Sequence, residues 1–290
     1  MKIDNVESYM ETLAQSARGA ARAMATIPSD KKNEALLKAA ENILAKAEDI
    51  LQVNKSECEA AIERGQDAAF IDRMSLSQDR IAGIAQALRE IASLDDPVGK
   101  SIRKWSRPNG LEFERVRTPI GVIAIIYESR PNVTVDAAAI AVKAGNAVIL
   151  RGGSECIETS KSLFDCFQNA LRECGLPEAA AQFVETTDRA AVGAILSGMN
   201  GRIDLVIPRG GKSLVGRVQS EARAPVLSHL DGICHVYIDG DADFEKAVTI
   251  TLNAKMRRTG VCGAAETLLI DKDSIAELWP TIAKVLRDAG

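Results

Sequence analysis

The stretch "GVIAIIYESRPNVTVDAAAIAVKAGNAVILRGGSE", Gly121–Glu155, decides the architecture. Residues 121–126 are a continuous apolar run. Residues 133–146 space Val, Ala and Ile at three and four positions and stop at Gly145, and "AVILR" at 147–151 is apolar again. Apolar runs without alternation, joined by a helical segment, predict parallel strands covered on both faces. The rhythm continues through a helix over "ECIETSKSLFDCFQNALREC", strands at "QFVE" and "IDLVIP", a helix at "KSLVGRVQSEA" and a last strand at "PVLSHL". The expected fold is therefore α/β, with a doubly wound parallel sheet that binds ligands at the carboxyl ends of its strands, here Arg151 and Pro208.

Upstream, residues 1–100 read as helices, one opened by the cap-like Ser29-Asp30 and another by Ser77. Between them and the sheet, "SIRKWSRPNGLEFERVRTP" alternates with period two around Asn109-Gly110, which predicts a hairpin with a type I′ turn. A two-stranded ribbon needs a support, either its own domain or a second subunit.

The composition narrows the function. The 290 residues are 46% hydrophobic and 26% charged with a net charge of -4, which argues against a general nucleic-acid binder and favours a small-molecule role. The longest apolar run, 137–142, is too short to span a membrane, and no charged-then-apolar leader opens the chain, so a cytoplasmic protein is expected. Six cysteines without a Cys-x-x-Cys pair and two histidines without zinc spacing predict reduced thiols and no metal.

Two turns carry the chemistry of a cofactor site. Arg151, Gly152, Gly153 and Ser154 follow a strand and precede a helix, where glycines admit a phosphate and the helix start offers free N–H groups; an ordinary βα turn has the same look. A strand-end arginine suits a 2′-phosphate, hence NADP(H). Pro208, Arg209, Gly210, Gly211, Ser213 and Gly216 form a second such turn. Its Gly-Lys-Ser resembles a phosphate-binding loop, but Val206 stands where that pattern requires glycine. Asn132 is either a helix N-cap or an oxyanion donor, and His229 is either structural or functional. Arg130, Arg257 and Arg258 could grip a substrate phosphate or carboxylate, or stay solvated. Cys262, in "RRTGVCGAAETLLID", is either a small hydrophobe or a reactive thiol on a turn.

With these pieces in order, "RTPIGVIAIIYESRPNVTVDAAAIAVKAGNAVILRGGSE", "SHLDGICHVYID" and "NAKMRRTGVCGAAETLL" resemble the aldehyde dehydrogenase superfamily and, within it, the gamma-glutamyl phosphate reductases of proline biosynthesis. The resemblance implies Cys262 as nucleophile, and Asn132 with the Cys262 main-chain N–H as oxyanion donors. It also implies 151–154 and 209–216 as cofactor turns and the hairpin as an oligomerisation arm. It implies NADPH-dependent reduction of glutamate 5-phosphate, with glutamate kinase as an upstream partner. Hydrolytic members carry a glutamate where this chain has His229, and its absence favours reduction. The domains implied are 1–100, helices of the cofactor domain; 101–118, the arm; 119–256, the NADP-binding domain; and 257–290, the start of a catalytic domain that continues in the family well past Gly290. A hydrolytic dehydrogenase and a chain that only binds cofactor remain as alternatives.

Overall fold

The computed structural model describes residues 5–228 and 232–290. They divide into two units after Ser228, earlier than the boundary at 256/257 expected from the sequence.

In the first unit, five helices come first: α1 (Val6–Met24), α2 (Ser29–Ala45), α3 (Ala47–Glu63), α4 (Ala68–Met74) and α5 (Gln78–Ser93). The hairpin β1 (Ser101–Ser106) and β2 (Glu112–Val116) follows. Then come β3 (Val122–Tyr127), α6 (Pro131–Lys143), β4 (Ala147–Arg151), α7 (Ile157–Glu173), β5 (Ala181–Phe183), α8 (Ala190–Leu196), β6 (Leu205–Arg209) and α9 (Lys212–Glu221). Strands β5-β4-β3-β6 form one parallel sheet, with Ile126 opposite both Arg151 and Pro208. Every side chain of β3 is buried. Burying a Val or Ile is worth about 1.5–3 kcal/mol, against about 0–1 kcal/mol for an exposed ion pair, so this apolar layer outweighs the many surface salt bridges.

The N-terminal helices share that core. α2 packs on α5 and α7, and the buried Lys32 pairs with Asp96 at 2.5 Å. Lys143, at the end of α6, donates to the Ala92 carbonyl at 2.8 Å. Ser77 caps α5 as its sequence implies, accepting the Arg80 N–H at 3.2 Å. Ser29-Asp30 does not cap α2: Pro28 holds the N-cap position and Asp30 lies in the first turn, where a carboxylate favours the helix dipole.

Two further expectations are corrected. The hairpin pairs Trp105 with Phe113, but its turn is not type I′: Gly110 alone of the central pair has positive φ, and its N–H bonds to the Arg107 carbonyl at 2.9 Å. Pro108 fixes a negative φ that suits the second position of a type I turn, which shifts the turn back by one residue. The strand expected at "PVLSHL" is reduced to one bridge between Val206 and Val226 within the described residues, since the next rung would need an N–H from Pro208, which has none.

The second unit is a single βαβ motif and a helix. β7 (Cys234–Ile238) lies parallel to β8 (Ala265–Ile270), joined by α10 (Phe244–Met256), and α11 (Ile275–Asp288) follows. Ile238, Ala247, Leu278 and Ile282 are its buried core.

Candidate active site

At the carboxyl ends of β3, β4 and β6 opens a cleft of about 460 Å³. Arg151, Gly153 and Ser154 line it from the first predicted turn, with Glu128, Ser129 and Arg130 from the end of β3. From α9 it takes Leu214 and Arg217, whereas Ser213 and Gly216 do not line it. The glycines have a reason that the sequence reading missed: the protein itself fills their empty side. A Cβ on Gly152 would lie 3.1 Å from the Tyr127 ring, one on Gly153 2.5 Å from Ser129 Oγ, and one on Gly210 2.6 Å from the Glu128 carboxyl. The turns are pressed against the end of β3.

Arg151 is held inward rather than free. Its guanidinium donates to the Gly152 carbonyl at 2.6 Å and the Thr187 carbonyl at 3.2 Å, and its buried Nε has no partner among the described residues. Burial lowers its pKa. Glu155 accepts from Ser129 Oγ at 2.7 Å and Ser154 Oγ at 2.9 Å. Burial would raise its pKa, but these hydrogen bonds win and keep it below the usual carboxylate value. Glu128 accepts the Gly211 N–H at 2.8 Å, so a carboxylate already occupies an anion position at the start of α9. Arg73 and Arg189 line the same cleft. The arginines around the rim and the apolar Ile126, Val192 and Leu214, against which a flat base can rest, fit an anionic dinucleotide, whereas carboxylates already take main-chain donors at both helix starts, Glu128 that of Gly211 and Glu57 those of Glu158 and Thr159.

A second cleft, of about 530 Å³, runs along α6 on the first unit. Asn132 lines it, but not as an N-cap. Arg130 takes that position because Pro131, with fixed φ and no N–H, suits the first helical turn. Asn132 thereby falls one turn before Asp136 and donates to its carboxylate at 2.9 Å. Burial raises the Asp136 pKa, an effect that the Asn132 amide opposes. Arg130 and Arg209 line this cleft too, among Ile123, Ile125 and Ile207.

Cys262 lies in the second unit, exposed, on the turn before β8. The Cys234 thiol donates to its carbonyl at 3.3 Å. Any Cβ at position 232 would collide with that carbonyl, so Gly232 is what lets the two chain segments meet. Arg257, at the C-terminus of α10, and Arg258 are exposed on the same loop. By contrast Cys156 is buried beside Ala61 and Met74, and burial pushes its thiol up to about 12. His229 falls outside the described residues.

The sequence matches the profile of the aldehyde dehydrogenase family over residues 4–289. The chain belongs to this family. Within it, the chain is 52% identical over 289 residues to gamma-glutamyl phosphate reductase of Allorhizobium ampelinum, covering 100% of this chain and 68% of that protein. It is 54% identical over 287 residues to the enzyme of the same name from Mesorhizobium japonicum, covering 99% and 67%. The crystal structure of the Thermotoga maritima gamma-glutamyl phosphate reductase superposes with a TM-score of 0.89 at 40% identity, over 97% of this chain and 68% of that one. An acetylating aldehyde dehydrogenase from Geobacillus thermoglucosidasius, 18% identical with a TM-score of 0.64 over 99% and 60%, shares the fold. The chain thus spans about two thirds of the length of its gamma-glutamyl phosphate reductase relatives.

In this member of the aldehyde dehydrogenase family the structure brings Arg151, Gly153, Ser154 and Arg130 to one cleft, and Asn132, Arg130 and Arg209 to the other. The sequence reading missed Glu128, Ser129, Glu155 and Asp136. Glu128 and Ser129 were legible as polar residues directly after an apolar strand. Asp136 was legible as the lone acid in the apolar run 133–142.

Proposed function

We propose that the chain carries out the reaction its relatives are named for: NADPH-dependent reduction of L-glutamate 5-phosphate to L-glutamate 5-semialdehyde with release of phosphate, a step of proline biosynthesis. The observation that carries this reading is Asn132, an amide held at the start of α6 in a cleft that also holds two arginines, in a chain 52% identical to a gamma-glutamyl phosphate reductase.

In this mechanism the Cys262 thiolate attacks the acyl carbon, the carbon–oxygen bond to phosphate breaks, and a thioester remains on Cys262. Asn132 Nδ2–H donates to the oxyanion of each tetrahedral adduct, a role worth roughly a hundredfold or more in rate. NADPH, when bound, supplies a hydride to the thioester carbon. The adduct then collapses, the carbon–sulfur bond breaks, and the aldehyde leaves with the thiolate restored. Gly153, Ser154, Arg151 and the start of α9 would hold the cofactor, with Arg151 and Arg189 toward a 2′-phosphate. Arg130, Arg257 and Arg258 are the candidates for the substrate phosphate and carboxylate. The exposed hairpin, with Trp105 stacked on Phe113 at 5.4 Å, is the surface we assign to homo-oligomer contacts. The activated substrate implies an upstream kinase acting on glutamate.

The test runs the reaction backwards: NADP reduction by L-glutamate 5-semialdehyde that depends on inorganic phosphate, in the unaltered chain and in Cys262→Ala and Asn132→Ala variants. Phosphate dependence, with loss in Cys262→Ala and at least a hundredfold loss in Asn132→Ala, supports the mechanism. Full activity in Cys262→Ala removes the thioester, and activity indifferent to phosphate removes the reductase.

A further inference from the structure

We infer that Asp136 anchors the α-ammonium group of the substrate, an inference that rests on the amino-acid substrate proposed above. The cleft along α6 is walled by Ile123, Ile125, Ala137, Ile140 and Ile207, and into it this helix brings Asp136. An acid in such a wall is unfavourable unless something compensates its charge. Among the described residues its hydrogen-bond partner is the neutral amide of Asn132, and no cation pairs with it. Orienting Asn132 does not explain the charge, because a neutral amide at 136 would accept the same hydrogen bond without the desolvation that raises the Asp136 pKa.

A cationic ligand supplies what is missing. Asn132 and Asp136 lie one turn apart on one face of α6, and their side chains meet at 2.9 Å. The amide keeps a second N–H and the carboxylate a second oxygen, so an acyl oxygen taken by the first and an ammonium taken by the second can belong to one glutamyl group. Arg130 and Arg209, which line the same cleft, match the other half of the zwitterion, since guanidinium forks suit a carboxylate. The site therefore selects an α-amino acid over the corresponding plain carboxylic acid.

The experiment compares L-glutamate 5-semialdehyde with 5-oxopentanoate, which lacks only the α-amino group, in the unaltered chain and in Asp136→Asn and Asp136→Glu. The ratio of kcat/KM values between the two aldehydes is expected to fall at least tenfold in Asp136→Asn, the effect of losing one charge-assisted contact. Asp136→Glu is expected to restore part of it. Equal losses on both aldehydes would mean that Asp136 only positions Asn132, and an unchanged ratio would mean that it does neither; each overturns the inference. Calorimetric binding of L-glutamate against glutarate gives a readout independent of turnover. Tighter L-glutamate binding that Asp136→Asn abolishes supports the anchor, and equal binding of the two acids overturns it. If neither aldehyde reacts, the proposed reaction fails, while the calorimetry still decides the role of Asp136.

Discussion

Glu128, just past the end of β3, accepts the main-chain N–H of Gly211 at 2.8 Å, so one side chain ties the central strand to the start of α9. A methyl group at position 210 would lie 2.6 Å from the Glu128 carboxyl and push it away. Gly210→Ala is expected to lower stability by roughly 1 kcal/mol through loss of this bond. In a Glu128→Ala background most of that cost disappears, because the two sites are in contact. Denaturant melts of the two single variants and the double variant measure the coupling; additive costs would show that the crowding lies elsewhere.

Gly153 is the stricter case. Its missing side chain is replaced by the Ser129 hydroxyl at 2.5 Å and the Ser129 main-chain nitrogen at 2.9 Å, and the backbone cannot swing aside. Gly153→Ala is expected to cost about 1–3 kcal/mol in overpacking, more than Gly210→Ala. Thermal unfolding of the two variants side by side checks the order.

Asp96 makes acid stability predictable. Burial raises its pKa, but the Lys32 ammonium and the Val98 N–H prevail and set it below the ordinary value of 3.8. A depressed carboxylate stabilises the fold above its unfolded value, and that contribution is lost as pH falls through the folded value. Stability is therefore expected to drop below about pH 4, and Asp96→Asn to flatten this drop. At neutral pH the same variant leaves Lys32, 1% exposed, without its partner, at a cost of about 3–5 kcal/mol.

The thiols are expected to separate by reactivity. Cys262 is exposed, whereas burial pushes Cys156 up to about 12 and Cys166 to about 11. Only thiolates react readily. Iodoacetamide at neutral pH, followed by peptide mass mapping, is expected to label Cys262 well before Cys156 or Cys166. Early labelling of Cys156 would contradict its packing against Ala61 and Met74.

The parallel sheet was legible because β3 and β4 are apolar at every position but the last, a pattern that only burial on both faces produces. The hairpin was legible from its alternation, but its turn was not, because Pro108 constrains the backbone more strongly than Asn109-Gly110 invites a type I′ bend. Asn132 misled as a cap for the same reason: Pro131 claims the first helical position and displaces it. The two glycine turns stood out in the sequence, yet what crowds them is the end of the neighbouring strand, and no local pattern announces that Tyr127, Glu128 and Ser129 will press there. Asp136 did leave a signal, the lone acid in an apolar helix, but such an acid reads as surface until the cleft beside it is seen.

The crowding of those turns has a kinetic side. Because strand and loop brace each other before any visitor arrives, the receptacle is a set mould rather than soft clay. Capture is then expected to follow encounter by diffusion, with the swing of Glu128 away from Gly211 as a latch to be lifted.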